Sequence, residues 1–228
     1  MKIEMIALFR QVNYVSLTMN QVANSPKRRG RPRSFDRDAA LDSAMRLFWR
    51  RGYEATSVND LTEAMGITPP SLYGAFGDKK RLFMEAVTRY QTGRGCFAAK
   101  ALTEEPTAEG AIRCLLHGAV KSFSNPSDPR GCLIVLGAIN CAVESNDVMN
   151  ALAERRRMAE SAVRARITAG AAAGELAPNA DVDTLTGLVV TTLYGLAIRA
   201  RDGVSPASLR KTVAQVMEAW PRRKVGTR

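Results

Sequence analysis

The run Gly66-Ile67-Thr68-Pro69-Pro70 leaves the backbone few paths. Glycine enters a left-handed turn without the steric cost of a β-carbon, so a helix reaching Gly66 stops there. Proline pushes Thr68 toward an extended conformation, as an N-cap requires. Pro69 itself fits the first helical position, where its missing donor would have been unpaired anyway. The run therefore joins two short helices through a tight turn. Upstream, Val58, Leu61, Ala64 and Met65 recur at helical spacing as one apolar face, and Ser57 with Asp60 offers a capping box. Downstream, Leu72, Ala75 and Phe76 turn inward, while Pro69, Pro70, Ser71, Tyr73 and Gly74 face out. Such a pair is a helix-turn-helix, with its outward residues at the end of the second helix that reads base edges.

The flanks support this arrangement. Asp36 caps a helix running to about Arg51, with Ala40, Leu41, Ala44, Leu47 and Phe48 inward and Gly52 closing it. Asp78 caps a fourth helix carrying Leu82, Phe83, Ala86, Val87 and Tyr90, expected to continue past Gly93 and Gly95. Together, Gly52-Tyr53-Glu54-Ala55-Thr56-Ser57-Val58, Leu61, Gly66-Ile67-Thr68, Leu72-Tyr73, Phe76 and Lys79 through Leu82-Phe83 resemble the DNA-binding domain of the TetR family of bacterial one-component regulators. Two positions depart from the pattern. Thr62 stands where the family usually has Ala at the helix crossing, and Gly74 where a larger phosphate-contacting side chain is common.

The resemblance implies an all-α chain: a three-helix DNA-binding domain, then a larger helical ligand-binding and dimerisation domain, about nine helices in all. No stretch alternates as a strand does, which agrees. The expected organisation is a disordered extension and basic arm over 1–33, the reading domain over 34–80, the sensor and dimer domain over 81–221, and a basic tail over 222–228. The apolar run from Met5 to Phe9 is too short for a signal peptide, so residues 1–18 read as an extension or an upstream start, with the working protein beginning near Met19.

The net charge of +11, densest over residues 24–95, favours a polyanionic partner. In Lys27-Arg28-Arg29-Gly30-Arg31-Pro32-Arg33, Gly and Pro prevent a helix, and Arg31 and Arg33 can enter a minor groove. Ser71, Pro69 and Pro70 are expected at base edges and thymine methyls, behind the Thr68 cap, with Tyr73 on phosphate or sugar. Ser57, Lys79 and Lys80 are expected to set register on phosphates.

Farther along, Ile112, Leu115, Leu116, Ala119, Val120 and Phe123 form an apolar stripe with His117 at its edge, a surface or structural histidine. Cys132 through Ile139 is apolar on every side and predicts a buried central helix, with Asn140 needing partners in that core. On one such helix Cys132 and Cys141 would lie about 13.5 Å apart along the axis and could not pair. Cys96 and Cys114 complete a set without metal-type spacing, so free thiols in a reducing cytoplasm are expected. Arg155, Arg156 and Arg157, on a long helix over 147–173, read as a solvated face. The family resemblance places a small-molecule pocket here, for which Leu116, Phe123, Cys132, Val135, Leu136, Ile139, Asn140 and Tyr194 are candidates. Asn140, Cys132 and Tyr194, each taken singly, read as plain core ahead of pocket.

Thr184 to Ile198 carries no charge over fifteen residues, yet holds four threonines and two glycines and is too short to span a membrane. A soluble helix without a polar face must be covered all round. With the helix behind it, this resembles the family's two-helix dimer face, giving Leu185, Leu188, Val189, Thr192, Gly195, Leu196, Leu209, Val213, Val216, Met217 and Trp220 as interface candidates. The alternative is an internal hairpin of a monomer.

The functional expectation is a homodimeric repressor released from a palindromic operator by a small molecule. One head offers too few outward residues to specify a site in a genome, whereas two can. A thiol- or metal-responsive regulator of the same fold competes with it, as does a DNA-architectural protein using the Gly30-Arg31-Pro32 arm. With one histidine, no glycine-rich phosphate loop and no nucleophile elbow, no catalytic set or cofactor motif is present.

Overall fold

The computed structural model describes residues 35–223. Among them are ten α-helices: α1 (Arg37–Arg51), α2 (Val58–Met65), α3 (Pro69–Phe76), α4 (Lys79–Thr92), α5 (Phe97–Glu104), α6 (Ala108–Phe123), α7 (Leu133–Leu136), α8 (Asn146–Ala172), α9 (Val182–Arg201) and α10 (Pro206–Glu218). A single 3-10 turn, Val143–Ser145, precedes α8. The only β pairing among the described residues is one antiparallel bridge between Leu176 and Arg222. The all-helical expectation stands. The extension over 1–33, with Arg31, Arg33 and the start near Met19, lies outside the described residues.

The first four helices start and stop where their local chemistry says. The Asp36 carboxylate accepts the amides of Asp38 and Ala39. Ser57 and Asp60 close a reciprocal capping box, and Gly66 takes a left-handed φ of 63°. Asp78 accepts the Arg81 amide at 2.8 Å. Thr68 has the extended backbone of a cap, but its hydroxyl pairs with that of Ser71 at 3.0 Å instead of with an amide. The inward face of α2 differs by one residue from expectation: Ala64 is exposed and Thr62 is buried, its hydroxyl turned back onto the Asn59 carbonyl at 2.9 Å. Phe48 and Tyr53 both meet the Phe83 ring edge-on, with centroids 4.9 and 5.0 Å away, so α1 and α4 lock behind the helix-turn-helix.

Two helices differ from expectation. The fourth does not run on past Gly93. It ends at Thr92, the Gly93 and Gly95 amides return to the carbonyls of Arg89 and Tyr90, and a separate α5 begins at Phe97. The apolar run after Cys132 is not a long central helix. It yields four residues of α7, because the Gly137 carbonyl is drawn out of the helical ladder to accept the Tyr53 amide at 2.7 Å. Beyond it Ile139 is 48% exposed, Asn140 is exposed, and Cys141 lies on no helix.

The sensor half packs around α6, whose Ala111, Ile112, Leu115, Leu116, Ala119 and Val120 are buried against α8, α9 and α10. His117 points to solvent. Close packing fixes one position: a β-carbon on Gly170 of α8 would lie 2.4 Å from that of Ala108 at the start of α6. Arg222 is not part of a free tail, since it pairs with Glu109 at 2.8 Å.

Candidate nucleic-acid interface and sensor core

The reading surface gathers at three helix starts. At α3, Thr68, Pro69 and Pro70 are exposed, Ser71 is half-buried and Tyr73 is 50% exposed, while Leu72 and Phe76 anchor the helix from behind. Arg37 stacks on Phe76 at 4.3 Å and reaches the Ala75 carbonyl and Glu85, so the far end of α3 is pinned to α1 and α4. At α2, the Ser57 hydroxyl is already committed. It donates to Asp60 at 2.5 Å and accepts the Asp60 amide at 3.1 Å, so it has no proton left for a phosphate. These bonds, led by the Ser57 hydroxyl, hold the Asp60 carboxyl at about 2.

At α4 the two lysines differ. Lys79 lies over the Tyr53 ring at 4.3 Å, and burial pushes its ammonium below the ordinary lysine value. Lys80 instead pairs with Asp147 at the start of α8. Of the two, Lys79 sits at the helix start without an ion-pair partner among the described residues.

The head is strapped to the rest of the molecule at one seam. The Trp49 indole donates to the Gly131 carbonyl at 3.2 Å, beside the Tyr53–Gly137 bond. Asp128, almost fully buried, takes Arg46 at 2.9 Å from α1 and Arg94 at 3.3 Å from the turn after α4. Arg201, at the end of α9, donates to the carbonyls of Trp49 and Arg50. Loop, head and α9 thus meet on the same turn of α1.

Two faces of α9 and α10 separate cleanly. Leu185, Val189, Leu196, Leu209, Val213, Met217 and Trp220 are buried within the protomer, where α9 and α10 pack on α6. The family resemblance offers them as interface candidates, but their side chains are covered within one protomer. Along the uncharged stretch of α9, Thr184, Gly187, Leu188, Thr191 and Ile198 remain open, with Thr192 and Gly195 of α9 and Val216 of α10 partly covered. A β-carbon on Gly187 or Gly195 would meet nothing within 4 Å, so packing inside the protomer does not call for either glycine.

The pocket candidates divide as well. Leu116, Phe123, Cys132 and Val135 are buried, and Leu136 and Tyr194 half-buried. Ile139 and Asn140 sit on the exposed turn after α7 and line no core. The thiols of Cys114, Cys132 and Cys141 are all pushed up, by burial first in each case, which lowers their thiolate fraction.

Residues 40–86 match the model of the bacterial regulatory proteins of the tetR family, and residues 115–216 match a tetracyclin repressor-like C-terminal domain. The chain is 37% identical to the HTH-type transcriptional repressor ComR of Escherichia coli over 86% of its length and 93% of that protein. It is 28% identical to the repressor BdcR of the same organism, over 83% of this chain and 91% of BdcR. The chain belongs to the tetR family. Among solved structures, the cysteine mutant of the TetR-family regulator CifR bound to a 26-bp operator superposes with a TM-score of 0.81 at 42% identity, covering 84% of this chain and all of that one.

In this family member, sequence reasoning located the helix-turn-helix but missed the seam. Trp49, Asp128, Gly131 and Arg201 are far apart in the chain, and no local pattern joins them. Only the buried ring of Trp49, with an indole N–H that needs an acceptor, signalled a long-range partner. Arg155 and Arg156 were also misjudged. Both are half-buried and turn inward, and only Arg157 faces solvent.

Proposed function

We propose that this tetR-family chain is a homodimeric transcriptional repressor, reading a near-palindromic operator through α3 and released when a small molecule binds among α4 and α6 to α9. One observation carries the DNA reading: the N-terminal half of α3 stands clear of the protein, while everything behind it is capped, stacked and buried. Thr68, Pro69, Pro70 and Ser71 are offered to the major groove, Tyr73 and Lys79 to the backbone, and Arg31 and Arg33 to an adjacent minor groove. Two such heads follow from the open, uncharged line along α9, where Gly187 and Gly195 let a second copy approach closely. The reading domain would end near residue 80 and the sensor domain near residue 221, in the cytoplasm where its DNA is.

The repressor names of ComR and BdcR, and the operator bound to CifR, support the same reading. The thiol-responsive alternative gains nothing from the environment of Cys114, Cys132 and Cys141, whose thiols are held toward the protonated form. The decisive experiment is a gel shift on the intergenic DNA flanking the gene, with a salt titration and sedimentation of the free protein. A dimer with a steep salt slope and a discrete footprint is expected. A monomer binding every duplex equally would overturn it.

A further inference from the structure

Resting on that regulator reading, we propose that the effector is a small organic oxyanion, gripped by Arg155 and Arg156 where α4, α7, α8 and α9 meet. Five arginines lie on α8. The outer two have carboxylate partners: Arg157 pairs with Glu154 at 2.6 Å, and Arg164 with Glu160 at 3.8 Å and with Asp183. The inner three have none among the described residues. Arg155 donates to the Gln91 side-chain oxygen, Arg156 to the Ile134 carbonyl at 2.9 Å, and buried Arg166 to the Glu105 carbonyl at 3.2 Å. This inverts the usual arrangement. Exposed charges gain little from pairing, whereas a desolvated guanidinium is costly until an anion meets it.

A second observation falls at the same place. The Tyr90 hydroxyl, on a residue only 1% exposed, has no well-formed hydrogen bond, its neighbours being the Cys132 thiol and the Leu133 backbone. It lies beside Cys132, at the start of α7, where Arg156 donates to the Ile134 carbonyl. Both guanidiniums thus end beside Tyr90 and its neighbours: Arg155 on Gln91, the next residue of α4, and Arg156 on Ile134, two residues after Cys132. Arg166 lies about 15 Å farther along α8 and belongs elsewhere.

A planar guanidinium grips a carboxylate or phosphate through paired donors, and such bonds are roughly twice as strong as those to neutral acceptors. An oxyanion therefore outcompetes Gln91 for Arg155 and the Ile134 carbonyl for Arg156. The first exchange releases the last turn of α4 and the second releases α7, whose following carbonyl at Gly137 holds the reading head. The Tyr90 phenol and the Cys132 thiol favour an aromatic or apolar body on the anion.

The test uses the full-length protein with benzoate and phenyl phosphate, against benzamide and sodium chloride at equal ionic strength. Benzoate or phenyl phosphate is expected to raise the melting midpoint and weaken operator binding about tenfold or more, and benzamide to do neither. Arg155→Met and Arg156→Met, which lack the bonds to Gln91 and Ile134 that the anion would displace, should bind operator more weakly than the parent without any anion, melt no lower in chloride, and lose both responses. Arg156→Lys should keep part of them. If neither anion moves the parent protein, or if the responses survive in both Met variants, the oxyanion assignment is wrong. Melting of both Met variants well below the parent in chloride would make the arginines structural and overturn it too. Failure of the parent to bind operator in chloride alone would instead sink the regulator reading beneath it.

Discussion

The Tyr53 amide and the Gly137 carbonyl meet at 2.7 Å, joining the reading head to the turn that closes α7. This bond needs close backbone approach, and Gly52 provides it. Its φ of 81° and ψ of 172° lie in a region open almost only to glycine, and a β-carbon there would sit 3.2 Å from the Gly137 oxygen. Gly52→Ala should therefore destabilise the protein by about 1–3 kcal/mol. It should also weaken the coupling between effector and operator, because the seam is pushed apart. Denaturant midpoints and an operator titration with and without effector measure the two effects. An alanine variant with unchanged stability would show that the seam yields freely.

The two faces of α9 and α10 predict opposite outcomes for substitutions close in sequence. Leu188 is 40% exposed in the protomer, so Leu188→Glu should leave helical content intact while converting dimers to monomers. Operator affinity should then drop by a hundredfold or so, since one head forfeits the second half-site. Leu209 is fully buried, and Leu209→Ala should cost about 2–5 kcal/mol of stability. Sedimentation and circular dichroism together distinguish the two. A dimeric Leu188→Glu protein would move the partner surface elsewhere.

What the chain declared in advance was what short-range chemistry decides. Caps at Asp36, Ser57 and Asp78 and the turn at Gly66 involve residues a few positions apart, so their geometry is written locally. The extent of α7 was not, because the bond that ends it comes from Tyr53. Val213 and Leu209 were legible as apolar, but an apolar pattern cannot say whether its cover is the same chain or another. Arg155 and Arg156 failed for the related reason that a run of arginines looks solvated until its acids are located, and here the acids serve only Arg157 and Arg164.

Several carboxylates carry stability that acid should remove. Asp42 is held below its ordinary value chiefly by its bond from Arg89, Glu109 by Arg222 and Asp147 by Lys80. Asp60 is lowered from 3.8 to about 2, first by the Ser57 hydroxyl. A carboxyl with a depressed folded pKa stabilises fully above its unfolded value and loses that contribution as pH falls through the folded one. Stability should thus be flat through neutrality and fall below about pH 4. Arg89→Met should flatten that fall by returning Asp42 toward its ordinary value. Urea midpoints from pH 7 to pH 3 provide the measurement, and parallel acid curves for the two proteins would contradict it.

On the operator itself, Ser71 and Lys79 should fail in different ways. On the proposed reading Ser71 faces a base edge, so Ser71→Ala should cost roughly 1–3 kcal/mol on the cognate site and almost nothing on random duplex. Lys79 is held at the start of α4 by the Tyr53 ring 4.3 Å away, an arrangement suited to a phosphate and blind to sequence. Lys79→Ala should weaken all duplexes alike and reduce the salt slope by about one unit per protomer. Lys80, already spent on Asp147, should change the slope by less. Salt titrations on cognate and scrambled duplexes separate the three variants. A larger slope change at Lys80 than at Lys79 would mean that the Asp147 pair opens when DNA binds, and that α8 feels the operator directly.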